Sequence, residues 1–286
     1  MSMLGTAFAL FATLLVGSWN LRWFPSGRAE HRAPVPVEER AVEDAAATIK
    51  AGLARRQPGE HVVLFFQELR GEAACSNLVA AVGGGLAIAN VSAFRNFDRR
   101  LGWQQNGIVT DLPVVESSFS YWRRSKKLLP PRGYSYALLD AGEDGLVACY
   151  CIHLKSNYGA KTAEDRAMNI AKRELSASQL VDVTKKLRLP DGRRVARVLI
   201  AGDFNTDPFG GGFADERTVQ ILLDAGYANC FEGAPLEERA TYPARGKFPP
   251  GTLDMILHRG FSGQADRWLA PEGPPSDHRM VWLRLR

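Results

Sequence analysis

The stretch Val198-Leu199-Ile200-Ala201-Gly202-Asp203-Phe204-Asn205 sets the reading of the whole chain. Val195–Ala201 is a short apolar run, the pattern of a strand covered on both faces. Asp203 and Asn205 fall where the run ends, and Thr206-Asp207-Pro208 follow. Asp, Asn and Pro are residues that turns select, so alone the segment is a strand running into a turn. The same arrangement recurs, however. Asn20 closes LLVGSWN, Glu68 closes VVLFFQE and His153 closes LVACYCIH, whereas Asp254 opens LDMIL and Asp277-His278 immediately precede RMVWLRL. A strand that runs up and a neighbour that runs down share one sheet edge. The ends of the first group and the starts of the second therefore meet at a single rim, where carboxylates, amides and two imidazoles gather. Taken singly, Glu68 is a strand-end carboxylate, His153 a satisfied core histidine, Asn20 a strand-ending amide and Asp277-His278 a surface turn. Six such placements in one chain are read together, as a site.

The rest of the sequence fills in around these runs. Arg28–Val37 reads as a loop rich in Pro and charge; Glu38–Arg56 is helical, with Val42, Ile49 and Leu53 in period, and ends at Pro58-Gly59. Val62–Phe66, Leu86–Val91 and Gly107–Thr110 read as strands. Tyr134–Leu139 and Leu146–Leu154 flank Gly142-Glu143-Asp144-Gly145, a hairpin signal. Thr162–Arg188 is a long polar helix, Asp215–Ala225 a short one, and Leu253–Leu257 and Met280–Leu285 supply the last two strands. Strands separated here by helices and there by hairpins imply mixed sheets with helices outside.

Composition bounds the class. With 45% hydrophobic and 23% charged residues over 286 positions, the chain is neither disordered nor collagen-like, and it is long enough to bury a core without staples. Four cysteines are too few for a disulfide scaffold, and neither CxxC nor zinc spacing occurs; Cys149 and Cys151 share one strand face, so buried free thiols are expected. A net charge of +5 leans mildly toward polyanionic partners. Met3–Val16 is too short to span a bilayer comfortably; it resembles a secretory h-region, yet no Lys or Arg precedes it. The expectation is an apolar leader or signal segment over residues 1–13 and a single catalytic domain over 14–286. The compartment stays open, with the cytoplasm slightly favoured over export.

Ser18-Trp19-Asn20-Leu21-Arg22, Gln67-Glu68-Leu69, His153-Leu154-Lys155-Ser156, Gly202-Asp203-Phe204-Asn205, Leu253-Asp254 and Ser276-Asp277-His278 resemble, in order and spacing, the motif series of the endonuclease/exonuclease/phosphatase superfamily. The resemblance runs from about Ser18 to His278 and implies an α/β (α+β) fold, a four-layer sandwich of two mixed β-sheets flanked by helices. It also implies a phosphoric ester hydrolase that uses Mg²⁺, with Mn²⁺ as an alternative. Glu68 is the metal ligand it indicates, with Asp277 a second or water-mediated one and Asn20 orienting the metal shell or phosphate. Hard divalent ions prefer such carboxylates. Asp254 would partner His278, Asp203 would orient or activate water, and His153 and Asn205 would bond the phosphoryl oxygens. Whether Asp203 or His278 takes the proton stays open. Arg22 stands where the apurinic-endonuclease branch often has an acid, and His153 where that branch has Tyr, so general phosphodiester hydrolysis is expected over apurinic specificity.

Phe119-Ser120-Tyr121-Trp122-Arg123-Arg124-Ser125-Lys126-Lys127 interleaves aromatics with four cations. Arg123, Arg124, Lys126 and Lys127 are candidate phosphate contacts and the rings candidate stacking partners; the alternatives are a lipid-facing segment or a strand followed by a solvated basic turn. The expected partner is nucleic acid, DNA favoured, with no stable protein partner. Membrane contact arises only if the substrate is a phospholipid.

Overall fold

The computed structural model describes residues 13–27, 33–96, 98–189, 192, 194–246 and 248–286; the leader expected over 1–13 lies outside them apart from Thr13. Among the described residues the chain forms β1 (Leu14–Phe24), α1 (Val35–Leu53), β2 (His61–Leu69), α2 (Glu72–Val82), β3 (Ala87–Val91), β4 (Gln105–Thr110), β5 (Val114–Tyr121), β6 (Gly133–Asp140) and β7 (Leu146–His153). There follow α3 (Ala163–Lys186), β8 (Arg197–Asp203), α4 (Thr218–Leu223), β9 (Ala228–Asn229), α5 (Leu236–Arg239), β10 (Asp254–Arg259), β11 (Gln264–Leu269) and β12 (Val281–Leu285). Two six-stranded mixed sheets result, ordered β11-β12-β1-β2-β4-β3 and β5-β6-β7-β8-β10-β9.

Both sheets follow one plan. A central parallel pair, β1 with β2 or β7 with β8, is joined by a crossover containing α1 or α3, and antiparallel strands flank it. Parallel neighbours need such a crossover, because a tight turn cannot return the chain to the same end. Side-chain alternation then sets the layers. Leu14, Val16, Val63 and Phe65 join Ala137, Leu139, Cys149 and Cys151 in the core that contains the sheet-to-sheet contact. Leu15, Trp19, Leu64 and Phe66 point the other way, onto Ala45, Ile49, Cys75 and Leu78 of α1 and α2. Ala177, Leu180 and Val181 of α3 cover the second sheet. Each large apolar side chain so buried contributes about 1.5–3 kcal/mol. Close approach is enforced at Gly52, where a Cβ would lie 2.1 Å from the Trp282 ring. The four-layer sandwich is the fold the motif resemblance implied.

Some local expectations are corrected. The first helix starts at Val35, inside the segment read as a loop, because Pro at its first turn needs no N–H there and presets the backbone angle. α2 and β11 were not anticipated. α2 is Ala-rich and has only a weak periodic signal; β11 is a half-exposed strand with polar residues, lying between the two segments read as the last strands. All four cysteines are buried and free, as expected. No helix among the described residues is long and apolar enough to cross a membrane.

Candidate active site

The two central pairs end at the same rim. His153 pairs with Asp203 across β7 and β8, and Asp203 pairs with Asp254 across β8 and β10, so three functional side chains stand in adjacent register positions. From the other sheet, Asn20 Nδ2 donates to Asp203 Oδ2 at 2.9 Å and to Glu68 Oε1 at 3.2 Å. One amide thus ties a carboxylate of each sheet together. His153 Nε2 lies 3.6 Å from both Glu68 Oε1 and Asp203 Oδ2. His278 Nδ1 lies 2.7 Å from Asp254 Oδ2.

Local backbone irregularity aims these groups. β1 shifts register between Asn20 and Phe24, and β2 between Phe66 and Leu69. Gln67 turns inward to Cys151, donating to its sulfur at 3.3 Å, so strict alternation would send Glu68 to the outer face. Instead Glu68 has φ 62°, and its carboxylate turns onto the rim, where Oε2 accepts the Trp23 N–H at 3.0 Å. The WN and SDH segments are bonded to each other: Trp19 Nε1 donates to the His278 carbonyl at 2.8 Å, and Ser276 Oγ donates to the Asn20 carbonyl at 2.6 Å. Thr241 Oγ1 accepts the Asp254 N–H at 3.0 Å, and Tyr242 packs edge-on against His278.

Gly202 brings β8 close to β7: its φ is 144° and a Cβ there would sit 1.9 Å from the Ile152 carbonyl oxygen.

The electrostatics separates the titratable groups. Burial alone would lower the His278 pKa, but Asp254, helped by Asp203 and Asp277, raises it to about 10, so the imidazole is charged at neutral pH. Burial, then the charge of Asp254, raises Asp203 to about 7, against the opposing pull of His278 and of its bonds from Asn20 and Asn205. His153 is held well below its usual value by burial and then by Arg132, His278 and Lys155. It is therefore a neutral ring; its Nε2 faces two carboxylates and is assigned the proton.

The donor set suits a divalent cation. Asp203, Asp254 and His278 each offer an atom within 4.8 Å of the others'. Asp254 Oδ1 is buried without a hydrogen-bond partner, and Glu68 adds a further carboxylate. Oxygen donors with excess negative charge fit Mg²⁺ or Mn²⁺. His278 Nδ1 is already engaged by Asp254, which leaves the carboxylate oxygens as the donors available to a cation.

The other candidates fall at varying distances from this centre. Asn205 adjoins it: its N–H donates to Asp203 Oδ1 at 2.8 Å and its Nδ2 to the Leu154 carbonyl at 3.2 Å. Asp277 has Arg22 as its ion partner, at 3.5 Å. Arg123, Arg124, Lys126 and Lys127 are exposed on the segment after β5, with the Arg123 backbone clamped by Gln179 of α3. They do not line the groove of about 930 Å³ that opens beside the rim. Tyr121 and Trp122 of the same segment do line it, together with residues not anticipated from the sequence, including Trp23, Trp103 and Arg132. Arg132 donates to the carbonyls of His153 and Leu154 and so touches the site. The strand-start rule that singled out Asp254 would have found it, since Arg132 immediately precedes β6, which is antiparallel to β7.

A sequence model of the endonuclease/exonuclease/phosphatase family matches residues 17–278, a span that includes every one of these site residues. The chain belongs to that family. Solved structures with the family fold are similar over 96% of this chain, among them D. rerio TDP2 complexed with single strand DNA product (16% identity, 99% of that chain, TM-score 0.60). Sphingomyelinase C from Streptomyces griseocarneus is similar at 17% identity, with 96% of this chain and 99% of that one covered and a TM-score of 0.59. The inositol polyphosphate 5-phosphatase domain of SPsynaptojanin, in complex with inositol (1,4)-bisphosphate and calcium ion, is similar at 16% identity, with 96% and 83% covered and a TM-score of 0.54. At these identities the likeness is one of fold, a phosphodiesterase and phosphatase fold. No curated protein sequence matches the chain.

Proposed function

We propose that this family member is a divalent-metal-dependent phosphodiesterase acting on nucleic acid, DNA by preference. One observation carries the choice of substrate: the groove leaving the catalytic rim combines aromatic rings with cations, the pairing that suits bases and phosphates. Arg123, Arg124, Lys126 and Lys127, close by in sequence to the groove residues Tyr121, Trp122 and Leu129, extend the positive field that draws a polyanion in.

Glu68, with Asn20 beside it and Asp277 as a further candidate, would hold Mg²⁺ or Mn²⁺, which when bound supplies charge neutralisation at the scissile phosphoryl group. The chain's own groups do the rest. Asp254 fixes the His278 ring and keeps its proton in place, so Nε2–H is a charged donor toward a phosphoryl oxygen. Asp203, with a pKa near 7, accepts a proton from water at neutral pH more readily than an ordinary carboxylate, and Asn20 holds the oxygen that would take it. Neutral His153 donates through Nε2, and Asn205 keeps a second amide hydrogen for the same oxygens.

The deciding experiment is a panel of labelled esters assayed with Mg²⁺, with Mn²⁺ and with chelator: single-stranded and plasmid DNA, RNA, sphingomyelin and an inositol polyphosphate. Metal-dependent cleavage of DNA is expected. Release of phosphocholine or inorganic phosphate with no cleavage of nucleic acid would overturn the reading.

A further inference from the structure

Ester hydrolysis requires the groups around Asp203. It does not require the half-buried cations Arg132, Lys155 and Lys172 that stand in the groove beside them. Arg132 donates to the carbonyl oxygens of His153 and Leu154 and to Gln104 Oε1. Lys155 Nζ donates to the Ser156 carbonyl at 2.5 Å, and Lys172, on α3, makes no ion pair among the described residues. Their neighbour Arg173 is different, being buried and neutralised by Glu216. Glu68 and Asp203 act favourably on Arg132, but Lys155 is crowded: burial lowers its pKa, and Arg132, Lys172 and Arg173 lower it further. Like charges crowded into a partly desolvated groove repel, and an anion bound among them relieves that repulsion.

The other part of the groove is aromatic. Trp23 and Trp103 are half-exposed and Tyr121 is exposed, and all three line the groove. Tyr121 is held from behind: Phe94 packs against it at 5.3 Å between ring centroids, and its hydroxyl accepts the Arg95 N–H at 2.7 Å. The Arg70 guanidinium lies 5.6 Å from the Trp103 ring. Rings held in place in one groove with Lys155 and Lys172 offer stacking to a base whose face is free, together with neutralisation of its phosphate. A duplex hides its base faces in its own stack.

Resting on the phosphodiesterase reading above, we propose that this groove is a subsite for one unpaired nucleotide flanking the scissile bond. Its base stacks on Trp103 and Tyr121, and its outer phosphate sits on Lys155 and Lys172. The chain thereby selects single-stranded over duplex nucleic acid.

Binding is tested on the full chain in chelator, by anisotropy of fluorescein-labelled decathymidylate, free or annealed to its complement. The single strand should bind at least about tenfold tighter than the duplex, and Trp103→Ala or Lys172→Ala should weaken it about tenfold. Trp103→Phe, which keeps a stacking face, should retain most of the affinity. Lys172→Ala should also reduce the slope of log Kd against log salt by about 0.7, the share of one phosphate contact on a single strand. With metal added, the ratio of kcat/KM for the strand to that for bis(p-nitrophenyl) phosphate should fall by the same factor in both alanine variants. Equal binding of duplex and single strand, or wild-type binding by both alanine variants, overturns the subsite while leaving nuclease activity intact. A wild-type chain that hydrolyses the small diester but neither binds nor cleaves any nucleic acid overturns the substrate reading itself, and the subsite with it.

Discussion

Replacing Asp254 by Asn probes the site at its tightest charged contact. In the wild-type chain the buried carboxylate lies 2.7 Å from His278 Nδ1 and holds the imidazole protonated to about pH 10, although burial opposes the charge. Asn preserves the shape and removes the charge. Burial then acts with little opposition, and the variant's imidazole is neutral through the alkaline range. A folded-state pKa above the ordinary 6.5 means that the folded chain binds this proton more tightly than the unfolded one. The resulting stability is complete below pH 6.5, declines as pH rises and is gone above about 10. One proton held only by the folded state changes stability by about 1.4 kcal/mol per pH unit, so between pH 7.5 and 9 the wild type should lose about 2 kcal/mol more than Asp254→Asn. Asp203 titrates near 7, mostly below this window, and the raised thiol pKa values act on both proteins and cancel in the difference. The assay is urea unfolding in chelator at four pH values across that window. Stability–pH curves that run parallel for the two proteins would refute the charged pair. With metal present, kcat of the variant should fall by about 10²–10³, the usual cost of a lost transition-state donor.

Asp203→Ala and His278→Ala should each lower turnover at least ~10²-fold with far-UV circular dichroism unchanged, and near-wild-type rates in either purified variant would remove that residue from the mechanism. Chelator should abolish hydrolysis and Mg²⁺ or Mn²⁺ restore it; the same ions should raise the thermal midpoint of the wild type but much less that of Glu68→Gln, whereas an equal rise in both would place the metal elsewhere. Gly202→Ala puts a Cβ 1.9 Å from the Ile152 carbonyl at φ 144°, and neither backbone can yield without breaking the β7–β8 ladder. A cost of at least ~3 kcal/mol follows, read as a fall of about 10 °C in Tm; an unchanged midpoint would contradict the close approach.

Most of the architecture was legible because it rests on local signals. Continuous apolar runs marked β1, β2, β7, β8 and β12, and the hairpin turn around Gly142–Gly145 marked β6 against β7. Among the elements that escaped, α2 and β11 have weaker signals: a short Ala-rich segment and a half-exposed strand with polar residues. The rim was legible for a related reason. A buried strand has few polar residues, so the one that ends it stands out, as His153 and Asp203 do. Arg132 and Trp103 lie in the loops between strands, where basic and aromatic residues are unremarkable, and the conspicuous cations at Arg123–Lys127 drew attention a few residues away from the groove. Composition marks a charged face; only the path of the loops decides which cations turn toward the site.

Alternation fails where the site begins, and the failure has a physical purpose. Of the seven non-glycine residues with positive φ among those described, Arg22, Trp23, Glu68, Arg132 and Asn205 stand at the rim or line the groove beside it. Each costs roughly 1 kcal/mol or more and persists because its surroundings hold it. Those surroundings are visible: Trp23 N–H on Glu68, Arg22 N–H on Asn20 Oδ1, three bonds from Arg132 to the backbone at the end of β7, and Asn205 N–H on Asp203. A regular strand presents only alternate residues to one face, too sparse a spacing to put three carboxylates, two imidazoles and an amide around one point. Bending the ends of β1 and β2 and the loops beside β6 and β8 supplies the density that pleated strands cannot. The rigid four-layer core bears that strain, and so the catalytic groups lie within the first few residues where regular pairing stops.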